Sequence, residues 1–245
     1  MVKDVRFIPI SALLGDNVVN RSENMEWYNG APLLHTLETI HISSDFNSID
    51  ARFPVQTVLR PQRDGFIDYR GYAGRISSGI FRPGDEVTVM PSGFTSKIKT
   101  VEGSNGEVEE AYAPMSISMT LEDDIDIGRG DMIVRSNNKP EPIQDLEVML
   151  CWMNNSAAKP RTKYTVRHTS NDQTAMIKEV IYKIDIETLG RNFDDKDMKM
   201  NDICKVKIRT TKPLMVDSYR ENRATGSLIL IDENTNETVA AGMIV

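Results

Sequence analysis

The sequence has few of the residues from which metal sites and nucleophilic centres are built. Its 245 residues include two cysteines, Cys151 and Cys204, and three scattered histidines, His35, His41 and His168. A zinc site needs about four clustered ligands, and no CxxC pair occurs here. The sequence therefore predicts no metal site, and we interpret His168 as a hydrogen-bonded or interface histidine.

Long apolar runs are also missing. No stretch approaches the ~18 residues of a membrane-spanning helix. The N-terminal residues 1–6 (MVKDVR) lack the apolar core of a secretory signal. We therefore expect a cytoplasmic protein without a membrane partner, in which both thiols are reduced.

The usual motifs of nucleotide binding and hydrolysis are absent. The sequence contains no GxxxxGK[ST], no GxGxxG before a helix, no GxSxG and no HExxH. Residues 74–79 (GRISSG) lack the terminal Gly-Lys pair of a phosphate loop, and they lie in a predicted strand rather than before a helix. No catalytic residue is predicted, so a stand-alone enzyme is the weaker interpretation.

Acidic residues outnumber basic ones, 36 against 29, for a net charge of −7. Proteins that bind nucleic acid usually carry a basic stripe, so this balance makes nucleic acid unlikely as the main partner. The acidic clusters at residues 122–124 and 194–197 lack the spacing and the glycine of a calcium loop. We interpret both clusters as solvated loops.

What the sequence has in quantity is short alternating runs cut by Gly, Pro, Asn and Asp. After residue 45 almost no helical periodicity remains, which is typical of an all-β barrel or sandwich. Before it, residues 5–10 (VRFIPI) predict a buried strand, and Pro32 opens a short helix. The polar residues 136–142, with two prolines, predict a linker. The predicted parts are residues 1–42, 43–138 and 142–245.

Alternation also predicts which side chains share one face of a strand, because successive side chains point to opposite sides. The predicted faces are Phe53, Val55, Thr57 and Leu59; Met115, Ile117, Met119 and Leu121; Leu146, Val148, Leu150 and Trp152; Tyr164, Val166 and His168; Val180, Tyr182, Ile184 and Ile186; and Cys204, Val206 and Ile208. We interpret the methionines as core residues and Cys204 as a small buried hydrophobe.

Three stretches carry a resemblance to one family. Residues 7–18 (FIPISALLGDNV) are similar to the last strand and the guanine motif of a translation-factor GTPase domain. Residues 74–87 are similar to the second domain of elongation factors Tu and 1-alpha. Residues 222–232 (NRATGSLILID) and 235–244 (TNETVAAGMI) resemble, more specifically, the large, GTP-hydrolysing subunit of bacterial sulfate adenylyltransferase.

The resemblance covers essentially the whole chain and implies an all-β fold. Two consecutive small barrels, like the second and third domains of elongation factors, would follow a short remnant of an α/β GTPase domain. In that family, the backbone of Ser11, Ala12 and Leu13 would contact guanine. The family's phosphate loop, DxxG switch and NKxD motif would precede this chain, so we expect a guanine motif that does not function alone. The resemblance implies no cofactor for this part, and GTP with magnesium for the full-length subunit.

The resemblance also implies a partner, the small catalytic subunit of sulfate adenylyltransferase. That subunit makes adenosine 5′-phosphosulfate and pyrophosphate from ATP and sulfate, and GTP hydrolysis in the large subunit drives the reaction. We expect the barrels to serve in docking and coupling.

Tyr219 and Arg223 are candidate contacts, because Tyr and Arg are over-represented at binding hot spots. The alternative for both is a brace for the turn around Gly226. The alternative for the whole chain is a pair of elongation-factor-like barrels that bind tRNA.

Overall fold

The computed structural model describes residues 6–39, 47–61, 69–159 and 162–245. The chain divides into two compact units, Met1–Asp45 and Phe46–Val245. The predicted boundary at residues 42–43 and the predicted helical residues 40 and 41 lie outside the described ranges. Within those ranges, no helix is long and apolar enough to cross a membrane.

The N-terminal unit contains one short helix, α1 (Leu33–Thr39), and is organised by a buried asparagine. The side-chain amide of Asn17 donates to the carbonyl of Pro9 (3.0 Å), and its Oδ1 accepts from the N–H of Ser22 (2.9 Å). The backbone carbonyl of Asn17 accepts from the N–H of Leu33 (2.9 Å). Asn17 lies at φ 54°, a left-handed conformation that asparagine tolerates better than most residues. One residue thus joins three separate stretches of the unit.

The N-terminal unit differs from the prediction at its first residues. Residues 6–10 form no strand, and Phe7 is 87% exposed. A strand needs a neighbour to take its backbone hydrogen bonds, and the described residues 6–39 contain none. The apolar character of this segment therefore does not indicate a buried strand here.

The first barrel of the second unit is a strongly curved antiparallel sheet. Its strands are β1 (Arg52–Pro54), β2 (Thr57–Leu59), β3 (Gly71–Arg75), β4 (Ile80–Phe81), β5 (Glu86–Met90), β6 (Thr95–Gly103), β7 (Gly106–Glu107), β8 (Ala111–Tyr112), β9 (Ser116–Leu121) and β10 (Met132–Arg135). The main sheet has the order β1-β10-β5-β6-β9-β3-β2, β7 pairs with β6, and β4 pairs with β8. Only Val55 and Gln56 separate β1 from β2, so the two ends of the sheet meet.

The second barrel is a closed ring of six antiparallel strands. Its strands are β11 (Glu141–Trp152), β12 (Lys163–His168), β13 (Asn171–Ile184), β14 (Arg191–Asn192), β15 (Ile203–Val216), β16 (Ser227–Asp232) and β17 (Thr238–Ile244). The order is β12-β16-β17-β11-β15-β13, and pairing of β12 with β13 closes the ring, while β14 extends from β13. The all-β fold with two consecutive barrels is therefore confirmed.

Most predicted faces line the two barrel cores. The first core includes Ile117, Met119 and Leu121, with Met115 packed against it. The second core contains the apolar residues of three predicted faces: Leu146, Val148, Leu150 and Trp152; Tyr164 and Val166; and Cys204, Val206 and Ile208. His168, the polar member of one of these faces, is also buried. Each barrel therefore has its own apolar interior, as sheet alternation dictates.

Two predicted faces hold only in part. Phe53 and Val55 are buried, but Thr57 and Leu59 are exposed because the chain leaves β1 and begins β2 between them. In β13, register shifts between Ile177 and Glu179 and between Val180 and Tyr182 disturb the alternation. A bulge inserts an extra residue and turns the following side chains to the other side. Ile186 lies beyond the strand and is exposed.

Candidate functional site

The predicted guanine motif is a tight turn in the N-terminal unit. Ser11 forms an antiparallel bridge with Asp16, and the carbonyl of Ser11 accepts from the N–H of Gly15 (2.8 Å). Ala12 and Leu13 are exposed, Leu13 by 93%, and their backbone N–H groups donate no hydrogen bond within the described residues. Two free amides at the tip of a turn fit a contact to the edge of a base.

The part of the chain that the structure describes offers magnesium no comparable set of ligands. The described ranges contain no group of three or more His, Cys, Asp or Glu side chains close enough together to hold a metal ion. Hard cations need several oxygen ligands around one point. The residues of the turn therefore fit one part of a guanine site only.

The junction between the two barrels is built around a buried arginine. Arg52, at the start of β1, is 2% exposed. Its Nε and Nη2 donate to the two carboxylate oxygens of Asp217, at 3.0 and 2.9 Å. Nη1 donates to the carbonyls of Ala51 (3.2 Å) and Asn138 (2.8 Å), and Nη2 also donates to Oδ1 of Asn138 (3.2 Å). All five N–H groups of the guanidinium therefore have an acceptor.

Further polar contacts surround this pair. Asp217 Oδ2 also accepts from the hydroxyl of Thr225 at 2.6 Å. Asn138, in the predicted linker, donates to Asp50 Oδ1 at 2.5 Å. Burial alone would raise the pKa of Asp50. Hydrogen bonds from Asn47 and Asn138 and the charge of Arg52 together outweigh burial, so the pKa of Asp50 is lowered. Asp50 therefore stays ionised and fixes the linker beside Arg52.

Apolar side chains fill the centre of the junction. Met132 and Val134 of β10 and Met215 of β15 form a buried cluster, with Met90 packed against it. At another point, the side-chain amide of Asn171, the first residue of β13, donates to the carbonyl of Gly130 (3.1 Å). The barrels thus meet through an apolar centre and separate polar contacts.

The segment 217–226 joins β15 to β16, and we call it the bridging loop. Asn222 donates to the hydroxyl of Ser78 in the first barrel at 2.7 Å, and its Oδ1 accepts from the N–H of Ala224 at 3.1 Å. A Cβ on Gly226 would lie 2.4 Å from Cα of Tyr219, so the loop folds back closely on itself. The bridging loop is therefore held by both barrels.

The structure places both predicted contact residues in the bridging loop. The backbone N–H of Tyr219 donates to the carbonyl of Ile244 at 3.0 Å, while its half-buried side chain lines a surface groove. Arg223 is exposed and forms no side-chain hydrogen bond or ion pair within the described ranges. Tyr219 thus contacts the turn around Gly226 through its backbone and leaves its ring at the surface.

The groove lies on the outer face of the second barrel and has a volume of about 530 Å³. The side chains of its floor alternate with core residues along β11, β15, β16 and β17. They are Met149, Cys151, Ile203, Ile229, Ala241 and Met243. Tyr219 and Ala224 of the bridging loop form one wall, and Arg167 lies on the rim. We call this feature the outer groove.

His168 is a buried hydrogen-bonded histidine at the junction. It is 1% exposed, and its Nε2 lies 2.7 Å from the carbonyl of Thr225, to which it donates as a neutral ring. Burial lowers the pKa of His168, against the opposing effects of the Thr225 carbonyl and of Asp217. This position confirms the interpretation of His168 from the sequence.

Sequence reasoning missed Arg52, Asn138 and the outer groove. One signal was available, because Arg52 lies inside the apolar run from Ala51 to Val55, and a buried arginine needs a carboxylate. Its partner, Asp217, is 165 residues away, so no local pattern identifies it.

Comparison with a solved structure shows which fold the chain shares. The chain superposes on the crystal structure of sup35 complexed with GDP with a TM-score of 0.74 at 18% identity, over 99% of this chain and 59% of that one. Residues 145–245 match the family described as GTP-eEF1A C-terminal domain-like. The two barrels therefore share the fold of that structure, and the second barrel matches the GTP-eEF1A C-terminal domain-like family.

Sequence relatives define the particular group. The chain is 48% identical over 244 residues to the bifunctional enzyme CysN/CysC of Mycobacterium tuberculosis, covering 99% of this chain and 40% of that protein. It is 42% identical over 252 residues to sulfate adenylyltransferase subunit 1 of Bacteroides thetaiotaomicron, covering 51% of that protein. The chain is thus a homologue of sulfate adenylyltransferase subunit 1 and spans about half the length of such relatives or less.

Proposed function

We propose that the barrel pair is the docking and coupling body of the GTP-hydrolysing subunit of a sulfate adenylyltransferase. The similarity to proteins named sulfate adenylyltransferase subunit 1 supports a role in sulfate activation. The word subunit in that name supports an assembly with another chain. The observation that carries the coupling role is the junction, in which Arg52 and Asp217 hold two separate barrels together.

In this proposal the partner is the small catalytic subunit, in a cytoplasmic heterodimer. In the full-length subunit, GTP with magnesium would be bound and hydrolysed, and its hydrolysis would supply the free energy for making adenosine 5′-phosphosulfate and pyrophosphate from ATP and sulfate. The amides of Ala12 and Leu13 would contribute a contact to the guanine base. The barrels themselves would bind the partner and transmit displacement to it.

The chemistry of the junction suits transmission of a displacement. Separating the barrels would leave the buried charges of Arg52 and Asp217 without partners, which is costly in a poorly solvated environment. It would also expose Met132, Val134 and Met215 to water. A force on either barrel is therefore expected to move both as one body rather than to bend the linker.

The direct test is co-expression of the 245-residue chain with the small catalytic subunit of sulfate adenylyltransferase, followed by size-exclusion chromatography. We expect a 1:1 complex and, in parallel titrations, little GTP binding by the chain alone. A folded chain that forms no complex at micromolar concentrations would contradict the proposal. Binding of tRNA that weakens steeply with salt would instead favour the elongation-factor-like alternative.

A further inference from the structure

The outer groove places apolar side chains where a barrel normally presents polar ones to water. Met149, Ile203, Ile229 and Met243 lie on its floor, and Met243 is 42% exposed. Apolar side chains collected in one concave patch are typical of a surface that binds another molecule. Methionines suit such a surface because their flexible, polarisable side chains adapt to the shape of a partner.

One wall of the outer groove is rigid before any partner arrives. The bridging loop is fixed to the first barrel by Asn222, and Gly226 packs against the backbone of Tyr219. Because the loop is already ordered, binding of a partner does not incur the loss of conformational entropy that ordering the loop would cause. The ring of Tyr219 and the adjacent β-strands therefore form a preformed binding surface.

The charges beside the outer groove indicate the chemistry of the occupant. In the bridging loop, Arg220 directly follows Tyr219 and Arg223 directly precedes Ala224, the two loop residues that line the groove. Both arginines are exposed, and neither forms an ion pair within the described ranges, whereas Arg167 on the rim is already paired with Asp172 at 2.7 Å. These two unpaired cations belong to a chain whose net charge is −7. An apolar floor beside free guanidinium groups complements a segment that carries an apolar side chain next to carboxylates.

We infer that the outer groove is the surface on which the partner subunit docks, through a segment of that subunit with apolar and acidic side chains. The inference rests on the proposed function, because it assumes that a partner subunit exists. The apolar side chain contacts Met149 and Met243, and a carboxylate forms an ion pair with Arg223. Tyr219 packs against the same segment from the side.

Cys151 provides a built-in reporter of this contact. It lies on the floor of the outer groove and is half-buried, while Cys204 is fully buried inside the barrel. We therefore expect a maleimide reagent to modify Cys151 in the folded chain. In the complex with the small catalytic subunit, we expect the rate of this modification to fall at least tenfold, because the docked segment covers the thiol.

Substitutions test the same contact by affinity. Met243→Glu and Arg223→Glu should each weaken binding of the small catalytic subunit by at least about tenfold, the effect of one hot-spot contact. The matched controls are Leu189→Glu, an exposed apolar residue elsewhere on the second unit, and Lys99→Glu, an exposed cation of the first barrel. Both controls should bind like the wild type, and the melting temperatures of all four variants should confirm that they fold.

The outcomes separate this inference from the proposed function. If the wild type forms the complex but Cys151 stays reactive and Met243→Glu binds normally, the partner docks elsewhere and the inference fails alone. If no complex forms at all, both fail. If Cys151 is protected without the partner because the chain self-associates at the same concentration, a second copy is the occupant and the inference is again wrong.

Discussion

Arg52 and Asp217 stand 165 residues apart in the sequence and form a two-point ion pair across the junction of the barrels, with N–O distances of 3.0 and 2.9 Å. Their side chains are 3% and 10% exposed, so neither charge has water as an alternative partner. Removal of one member leaves the other buried and uncompensated.

Arg52→Ala should therefore lower the free energy of unfolding by about 3 to 5 kcal/mol, measured by urea denaturation. Arg167→Ala is the matched control, because Arg167 makes a similar two-point pair with Asp172 at an exposed position. Its loss should cost about 1 kcal/mol or less. Equal effects of the two substitutions would contradict the special role of the junction.

Gly226 should tolerate no side chain. In Gly226→Ala the new Cβ would lie 2.4 Å from Cα and 2.5 Å from N of Tyr219, so the bridging loop must shift. We expect a loss of about 1 to 3 kcal/mol in the free energy of unfolding. Gly128→Ala, where a Cβ meets no atom within 4 Å, should change it by about 0.5 kcal/mol or less. A neutral Gly226→Ala would show that the loop has room to move.

His168 should make stability depend on pH in a mildly acidic window. Burial lowers the pKa of His168 in the folded state, whereas in the unfolded chain the ring takes a proton near its ordinary value of 6.5. The unfolded state then binds more protons than the folded state, so stability falls as the pH drops below about 6.5, by at most about 1.4 kcal/mol per pH unit.

Urea denaturation between about pH 7.5 and pH 5 measures this dependence, above the range where carboxylates titrate. His168→Gln keeps a side-chain N–H for the Thr225 carbonyl but cannot take up a proton. It should flatten the curve in this window. A curve that keeps the same slope in His168→Gln would assign the dependence to other groups.

The two thiols should differ sharply in reactivity. Burial raises the pKa of Cys204 to about 11, whereas Cys151 lies half-buried in the outer groove. A colorimetric thiol assay near about pH 7.5 should count one fast thiol in the native chain and two after unfolding. Cys151→Ser should remove the fast phase. A fast phase that survives in Cys151→Ser would mean that the second barrel opens readily.

The sequence predicts those parts of the fold that follow from local alternation. Leu146, Val148, Leu150 and Trp152 line one face of β11 and are all buried, because a regular strand beside regular neighbours keeps its period of two. The prediction fails in β13, where bulges shift the register, since a bulge depends on the neighbouring strand rather than on the strand's own residues.

The candidate site is less accessible to sequence reasoning. Tyr219 and Arg223 could be singled out by residue type, but the outer groove needs four strands to be placed side by side before it exists. The pairing of Arg52 with Asp217 depends likewise on how two finished barrels meet. Such relationships come from tertiary structure, and a single sequence contains no pattern for them.

The closed ring of the second barrel restricts how any neighbour can recognise it. The pairing of β12 with β13 closes the ring and pairs most of its strand edges, which leaves little room for an extended segment to bind by adding a strand. Recognition then depends chiefly on side chains that point outward, and these can be exchanged without altering the backbone ladder. Such a scaffold can acquire or lose partners by surface substitution alone while its architecture stays the same.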